Sequence, residues 1–460
     1  MLKAYLDDFH SKFFQNDTLI KEMVEKYGSP LHLLYPKNFS KNIDAFTQIL
    51  EKREIKYKIY YAHKCNKSKV FLQEALKKNI WIDVASLWEL YNALETWFTN
   101  NNIEATWPKN KEFLKKLISR DILINIDSFS ELESILNIRK EQAIEEKTKI
   151  VLRISWFSKS KISRFGIELS QKEKLIKYLW EYRHEFQVVW LSFHLDTIEI
   201  QEKVSALEEL LKLQKDFVRW WIQIRKINIG WGFRLSYLEN KASWEVYLEL
   251  LKKELVDSDI SITWKKSSYG SQRENKRILW EWNIYPPYSE KTAEIYLASI
   301  LDAKLEYFWW IQVCTYLKEN LIELHIEPWR SLHHLTGSTL SQVISVKEIE
   351  DEILVTLDIN SFSLGSREQE MFIDPIIISQ SKKIESEKWV FFTGNLCLES
   401  DFVYRHKSFL WCIPQVGDIC IFPNTAGYFM DFYENTAIIQ KSAKKVLIDN
   451  SWYTLLKSDT

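Results

Sequence analysis

Three observations predict an α/β fold, a (β/α)8 TIM barrel joined to a mostly antiparallel β-sheet domain. Eight short apolar, β-branched runs lie between residues 57 and 327, and amphipathic stretches separate them. Past residue 330 the character changes to short β-rich segments punctuated by turn residues. The eight runs are Tyr57 to His63, Ile80 to Ala85, Ile103 to Thr106, Ile122 to Ile126, Ile150 to Ser155, Val188 to His194, Lys226 to Gly230 and Leu321 to Glu327. Between them, Ser130 to Leu136 reads as a helix, and Val204, Leu207, Leu211 and Val218 recur at helical spacing. Residues 235 to 300 are too long for one crossover; with the loop-like run Asn283 to Tyr288 they are expected to wrap the barrel mouth.

The second domain is read from Ile353 to Leu357, Trp389 to Phe392 and Asp418 to Phe422, with Leu31 to Tyr35 expected to join the same sheet. The division this implies is a barrel over 36–330 and a β-sheet domain over 1–35 and 331–460.

Charge narrows the function classes. With 62 basic and 63 acidic residues interspersed, the net charge is −1, and there is no electrostatic footprint for nucleic acid or an anionic membrane. The short basic cluster Lys159, Lys161 and Arg164 reads as a solvated loop face. Met1 to Phe14 lacks the apolar region of a secretory signal, and no run is long enough to span a bilayer, so a cytoplasmic protein is expected. Five cysteines without CxxC spacing argue against a disulfide framework or a metal site.

Tryptophan is out of proportion. There are 20 Trp and 10 Gly, and the two together come to roughly the 7% that glycine alone contributes to an average soluble chain. Several stand where the backbone favours glycine, as in Ile229-Gly230-Trp231-Gly232-Phe233, Glu327-Pro328-Trp329-Arg330 and Trp107-Pro108. The reading that follows is that many of these codons are UGA, translated here as tryptophan but meaning glycine.

In a (β/α)8 barrel the reactive groups sit just past the C-terminal ends of the strands. Those ends carry Lys64, then Asp83 and Ser86, Arg153, His194, the turn Gly230-Trp231-Gly232, and Glu327 with Arg330. A lysine leaving an apolar strand can form a Schiff base with an aldehyde cofactor when its neutral form is favoured. A glycine turn can present backbone N–H groups to a phosphate. Glu327 can hold a pyridine nitrogen protonated, and Arg330 can pair with a phosphate or carboxylate. Taken singly, Lys64 reads as a surface lysine, His194 as a core histidine, and Glu327 with Arg330 as an ion pair at a domain junction.

As a set, Tyr61-Ala62-His63-Lys64-Cys65-Asn66, Ile82-Asp83-Val84-Ala85-Ser86, Ser163-Arg164-Phe165-Gly166, Phe193-His194, Gly230-Trp231-Gly232-Phe233, Glu327-Pro328-Trp329-Arg330 and Cys397 with Asp401 resemble the alanine-racemase-like (fold-type III) pyridoxal-phosphate decarboxylases of the diaminopimelate and ornithine decarboxylase group, as an uncharacterised branch. The residues matching Trp88, Trp231 and Trp329 are glycine in that family. The resemblance implies a pyridoxal 5'-phosphate cofactor. Lys64 would form the internal Schiff base and return a proton to the substrate carbon, with His194 stacked on the ring and Glu327 on its nitrogen. Asp83, Thr197, Gly230, Trp231, Gly232, Arg330 and Tyr428 would complete the cofactor site. Arg330, Cys397, Glu399 and Asp401 would meet an amino-acid substrate, with Cys397 supplied by the partner of a homodimer that shares its active sites.

There are departures. Leu195-Asp196-Thr197 follows His194 where the family has Ile-Gly-Ser, and Leu398 separates Cys397 from Glu399-Ser400. The expectation is therefore an amino-acid decarboxylase of unassigned substrate. A racemase of the same fold, or a non-catalytic relative that binds cofactor or partner, stands as the alternative.

Overall fold

The computed structural model describes the chain except residues 161, 198, 221, 257–258, 268, 275–276, 280–283, 366–369, 380–386, 435, 450–451 and 457–460. Lys161 and Asn283, read above as loop residues, lie outside the described residues.

Eight parallel strands form the barrel: Tyr57–Ala62, Trp81–Val84, Ile103–Ala105, Leu123–Ile126, Thr148–Ser155, Phe186–Ser192, Lys226–Asn228 and Glu323–Ile326. Each pairs with the next, and the last closes on the first with Leu324 opposite Tyr57 and Ile326 opposite Ile59. All eight runs read from the sequence are strands. Six of them end one or two residues earlier than the apolar pattern suggests. His63, Ala85, Thr106, His194, Gly230 and Glu327 have already left the sheet, which places them in the turns over the barrel mouth.

The strands are legible because helices cover their outer face, so both faces are dry. The helix Ile200–Arg219 buries Val204, Leu207, Leu210, Leu211 and Phe217 against the sheet. Two barrel helices begin with the same device. Ser86 accepts from the Glu89 amide, and the Glu89 carboxylate accepts from the Ala85 amide at 2.7 Å. Ser128 and Glu131 repeat it over the Asp127 amide. Ser86, read above as a strand-end candidate, is thus a helix cap.

The second domain is a nine-stranded, mostly antiparallel sheet. The strand Leu31–Leu34 joins it, antiparallel to Gly337–Leu340 and parallel to Lys444–Leu447. Two helices that the sequence pattern does not announce precede it, Asp8–Phe14 and Asp17–Tyr27, capped by Asp7 and Asn16.

The long segment after the seventh barrel strand reaches the mouth through Tyr285, but much of it belongs elsewhere. Its helix Lys241–Val256 sets Tyr247 and Leu251 in one core with Phe372, Val390 and Phe392 of the sheet domain. The expectation that it wraps the mouth is corrected to this extent: apolar residues on the helix pull it into the second core. Among the described residues no helix is long and apolar enough to cross a membrane.

Candidate active site

Lys64 sits in the single turn His63–Cys65 that follows the first barrel strand, its side chain only 10% exposed. Its ammonium donates to Asp83 Oδ2 at 2.7 Å, and Thr106 Oγ1 donates to Asp83 Oδ1 at 2.5 Å. Asp83 is the next-to-last residue of the neighbouring strand and is buried, which pushes its carboxyl pKa up. The lysine thus has an anionic partner under it and ring faces beside it, Trp329 at 3.8 Å and Trp107 at 5.1 Å from Nζ to the ring centre.

Glu327, fully buried just beyond the last barrel strand, is the most heavily bonded acid at the mouth. Asn228 Nδ2 donates to its Oε1 at 2.6 Å, the indole N–H of Trp329 donates to Oε2 at 2.9 Å, and His194 Nε2 lies 3.3 Å from Oε1. Burial opposes the charge, but His194, Lys64 and the Asn228 amide overcome it and bring the pKa down to about 2. A carboxylate so held accepts one strong hydrogen bond from an aromatic heterocycle, and here the heterocycle is an indole.

The turn Gly230-Trp231-Gly232 closes the site on one side. Gly230 has φ +62°, and a Cβ there would meet the Phe193 carbonyl at 2.3 Å and the His194 ring at 2.8 Å; at Gly232, with φ +100°, it would meet the Leu195 carbonyl at 2.5 Å. No side chain fits at either position. Behind the turn Lys203, buried in the helix Ile200–Arg219, donates to the Trp231 carbonyl. Burial brings its pKa down to about 7.

These elements enclose one cavity, which Lys64, Arg234, Tyr285, Arg330 and Tyr428 line together with the rings of Trp107, Trp231 and Trp329. Arg330 lies 4.5 Å from the Tyr285 ring centre and 4.8 Å from that of Tyr428. Within the cavity the indoles of Trp231 and Trp329 stack, centroids 5.1 Å apart and planes within 10°. Lys64, Asp83, His194, the glycine turn, Glu327, Arg330 and Tyr428 therefore meet as the sequence suggests.

Thr197, Cys397, Glu399 and Asp401 do not join them within one chain. Thr197 Oγ1 accepts from the Glu199 amide at 3.0 Å, closing a turn just ahead of the helix Ile200–Arg219. Cys397 and Glu399 lie exposed on a loop of the sheet domain. Asp401 is buried beneath that loop, where Oδ1 accepts from the Ser361 amide at 2.9 Å and Oδ2 from the Leu396 amide at 2.8 Å. Each of its oxygens accepts from a backbone amide, so it shapes the loop that carries Cys397.

Four polar residues of the mouth escape sequence reading. Asn228 orients Glu327 and also accepts from the Gly230 amide at 2.8 Å, two tasks that its place two residues before a glycine turn hints at. Glu104 points inward from the third strand, bonded to Asn125 Nδ2 at 2.7 Å, its pKa pushed well up by burial and by the nearby Glu327 and Asp83. Lys203 and Arg234 carry no signal in their own neighbourhoods.

Residues 37–262 match the family model of the pyridoxal-dependent decarboxylase pyridoxal binding domain. An uncharacterized protein of Sinorhizobium fredii, y4yA, is 28% identical over 91% of this chain and 87% of its own length. Diaminopimelate decarboxylase of Bacillus methanolicus is 26% identical over 237 residues, 47% of this chain and 54% of that enzyme, so this sequence match spans about half of each. Among solved structures, diaminopimelate decarboxylase of M. jannaschii in complex with L-lysine superposes with a TM-score of 0.70 at 21% identity, over 94% of this chain and 90% of that one. The arginine decarboxylase of Paramecium bursaria Chlorella virus gives 0.68 at 16% identity, over 94% and 100%. At these identities the structural likeness establishes the barrel-plus-sheet fold.

Proposed function

The chain belongs to the pyridoxal-dependent decarboxylase family, and from that premise we propose that it removes the α-carboxyl group of an amino acid, using pyridoxal 5'-phosphate attached at Lys64. The observation that carries this reading is that Lys64 and Glu327 meet the same ring, that of Trp329 on the cavity wall, the amine backed by Asp83 and the carboxylate held ionised beneath it. The cofactor supplies an electron sink for the bond that breaks.

The polar residues fit such a cofactor. Glu327 has the charge to keep a ring nitrogen protonated, His194 lies against the same carboxylate, and the glycine turn with Arg330 and Tyr428 offers backbone N–H groups and a guanidinium for a phosphate. The rings of Trp231 and Trp329 do not fit, because they fill the space between these groups. Glu327 would keep the ring nitrogen protonated and so strengthen the electron sink, and on this acid decarboxylation is preferred to racemisation. Cys397, exposed on its loop, suits a role across a homodimer interface, and Asp401 serves by holding that loop. Thr197 is assigned to the turn ahead of the helix Ile200–Arg219.

The test is carbon dioxide release from a panel of amino acids, with a Lys64→Ala variant as the blank. Release from at least one member that the variant loses supports the reading. Interconversion of enantiomers without carbon dioxide would make it a racemase, and cofactor binding with neither reaction would make it a binding protein.

A further inference from the structure

We propose that glycine, not tryptophan, occupies positions 97, 107, 156, 231, 309, 310 and 329 in the protein as its own cell makes it, the codon there being a UGA which that cell reads as glycine.

The backbone carries the first part of the argument. Positive φ is uncommon outside glycine and is an outlier for a bulky residue. Among the described residues 21 non-glycine positions have it, and five of these are Trp97, Trp107, Trp156, Trp309 and Trp310, a large share from a residue type that supplies 20 of 460 positions.

Three of the positions fall in two motifs with a known demand. After the helix Leu87–Glu95 the Trp97 amide donates to the Leu94 carbonyl at 3.0 Å and the Phe98 amide to the Ala93 carbonyl at 3.1 Å. That pair of bonds is a Schellman ending, whose left-handed residue is usually glycine. Trp97 holds that place at φ +76° with 83% of its surface in water. Between the paired strands Lys304–Leu305 and Ile311–Gln312, the Ile311 amide donates to the Phe308 carbonyl across Trp309 and Trp310, at φ +61° and +59°. A turn with both central residues at positive φ is built for Gly or Asn. Trp309 is 94% exposed, so no packing offsets the strain.

The cavity gives an independent argument at 231 and 329. Buried indole N–H groups ordinarily find an acceptor, yet Nε1 of Trp231 and of Trp107 has none among the described residues. The ring of Trp329 takes the Glu327 hydrogen bond and covers Lys64, so the two groups that define the site are spent on a side chain of the same protein. With glycine at 231 and 329, the turn becomes three consecutive glycines between residues 229 and 233. The backbone of 329 also comes within reach of a ligand, and Glu327 and Lys64 face open space.

Peptide mass spectrometry on the protein isolated from the organism that encodes it tests this directly. Glycine in the peptides spanning the seven positions is expected, and tryptophan in them overturns the inference. That result does not depend on the proposed activity. A recombinant chain carrying glycine at all seven positions is then titrated with pyridoxal 5'-phosphate. If the native peptides contain glycine and this chain shows no visible absorbance from bound cofactor, the codon reading stands and the proposed function falls. Absorbance in the glycine chain, absent from the tryptophan chain, supports both.

Discussion

Lys64 and Asp83 form a buried ion pair, Nζ to Oδ2 at 2.7 Å, with Thr106 on the other oxygen of the carboxylate. A pair of this kind is not a source of stability, since desolvation of both charges consumes most of the attraction; breaking it from one side is costly, about 3–5 kcal/mol. Its value lies in placement. The lysine is fixed at the mouth by a partner from the neighbouring strand.

In the chain with glycine at 231 and 329, Lys64→Arg is expected to keep the charge and lose the visible absorbance of lysine-bound pyridoxal completely. Lys64→Ala is expected to lose the absorbance and to melt lower, because Asp83 is left without its cation. The double variant Lys64→Ala/Asp83→Asn should recover most of that melting temperature while staying colourless. Absorbance retained in any of the three would remove Lys64 from the covalent role.

Glu327→Gln preserves the shape of the side chain and removes its charge. Loss of roughly a hundredfold or more in kcat is expected, the scale of deleting one preorganised electrostatic group. Stability responds with a definite sign. The pKa of Glu327 is brought down to about 2 in the folded chain against an ordinary 4.5, so its ionised form contributes stability above pH 4.5. That contribution disappears as pH falls through about 2. Denaturant titrations of the parent and Glu327→Gln should therefore differ at pH 7 and converge toward pH 2.

Three buried histidines make the whole fold sensitive to mild acid. Burial brings His32 and His333 down to about 3 and His63 to about 4. Between those values and 6.5 the unfolded chain binds protons that the folded chain refuses, so stability falls as pH drops through that window. Each histidine contributes about 1.4 kcal/mol per pH unit within it. A melting temperature that is flat above pH 7 and declines steadily from 6.5 to 4 is expected, and His333→Gln, which retains a partner for Tyr61 and Thr336, should lessen the slope. An unchanged melting temperature at pH 4.5 would contradict it.

What the sequence reveals and conceals follows from where each signal is stored. The eight barrel strands are legible because each is dry on both faces and reads as a local apolar run, as in Ile82-Asp83-Val84 and Leu123 to Ile126. Lys64, His194 and Glu327 are legible because the barrel rule ties function to strand ends. Lys203 and Arg234 are not, since their roles depend on what the Gly230 to Phe233 turn and Tyr285 bring to them in space. The helix Asp8–Phe14 is hidden because its buried face consists of His10 and Phe14 among charged neighbours, too short a pattern to show a period. Asp401 is a further case: the sequence offers it as a ligand, while the backbone amides of Ser361 and Leu396 that bond its two oxygens come from chain positions no local pattern links to it.

Arg234 sets the remaining expectation, for substrate choice. Its side chain is 7% exposed, yet its carboxylate contact is a 3.3 Å approach to Asp196, which is itself half in water. Its Nε has no acceptor among the described residues. The guanidinium stands 4.9 Å from the Tyr285 ring centre, and that of Arg330 4.5 Å from the same ring, so two cations flank one aromatic side chain on the cavity wall. A buried guanidinium so poorly paired is costly unless a further anion completes its bonds. An amino acid whose side chain ends in a carboxylate supplies that anion, and one ending in an ammonium is repelled. Acidic members of the panel should therefore be turned over with the lower KM. Arg234→Gln should raise that KM by roughly 10–100-fold, the worth of one charge-assisted hydrogen bond, and leave kcat and the KM of neutral substrates nearly unchanged. An equal rise for acidic and neutral substrates would reduce Arg234 to a packing role against Tyr285.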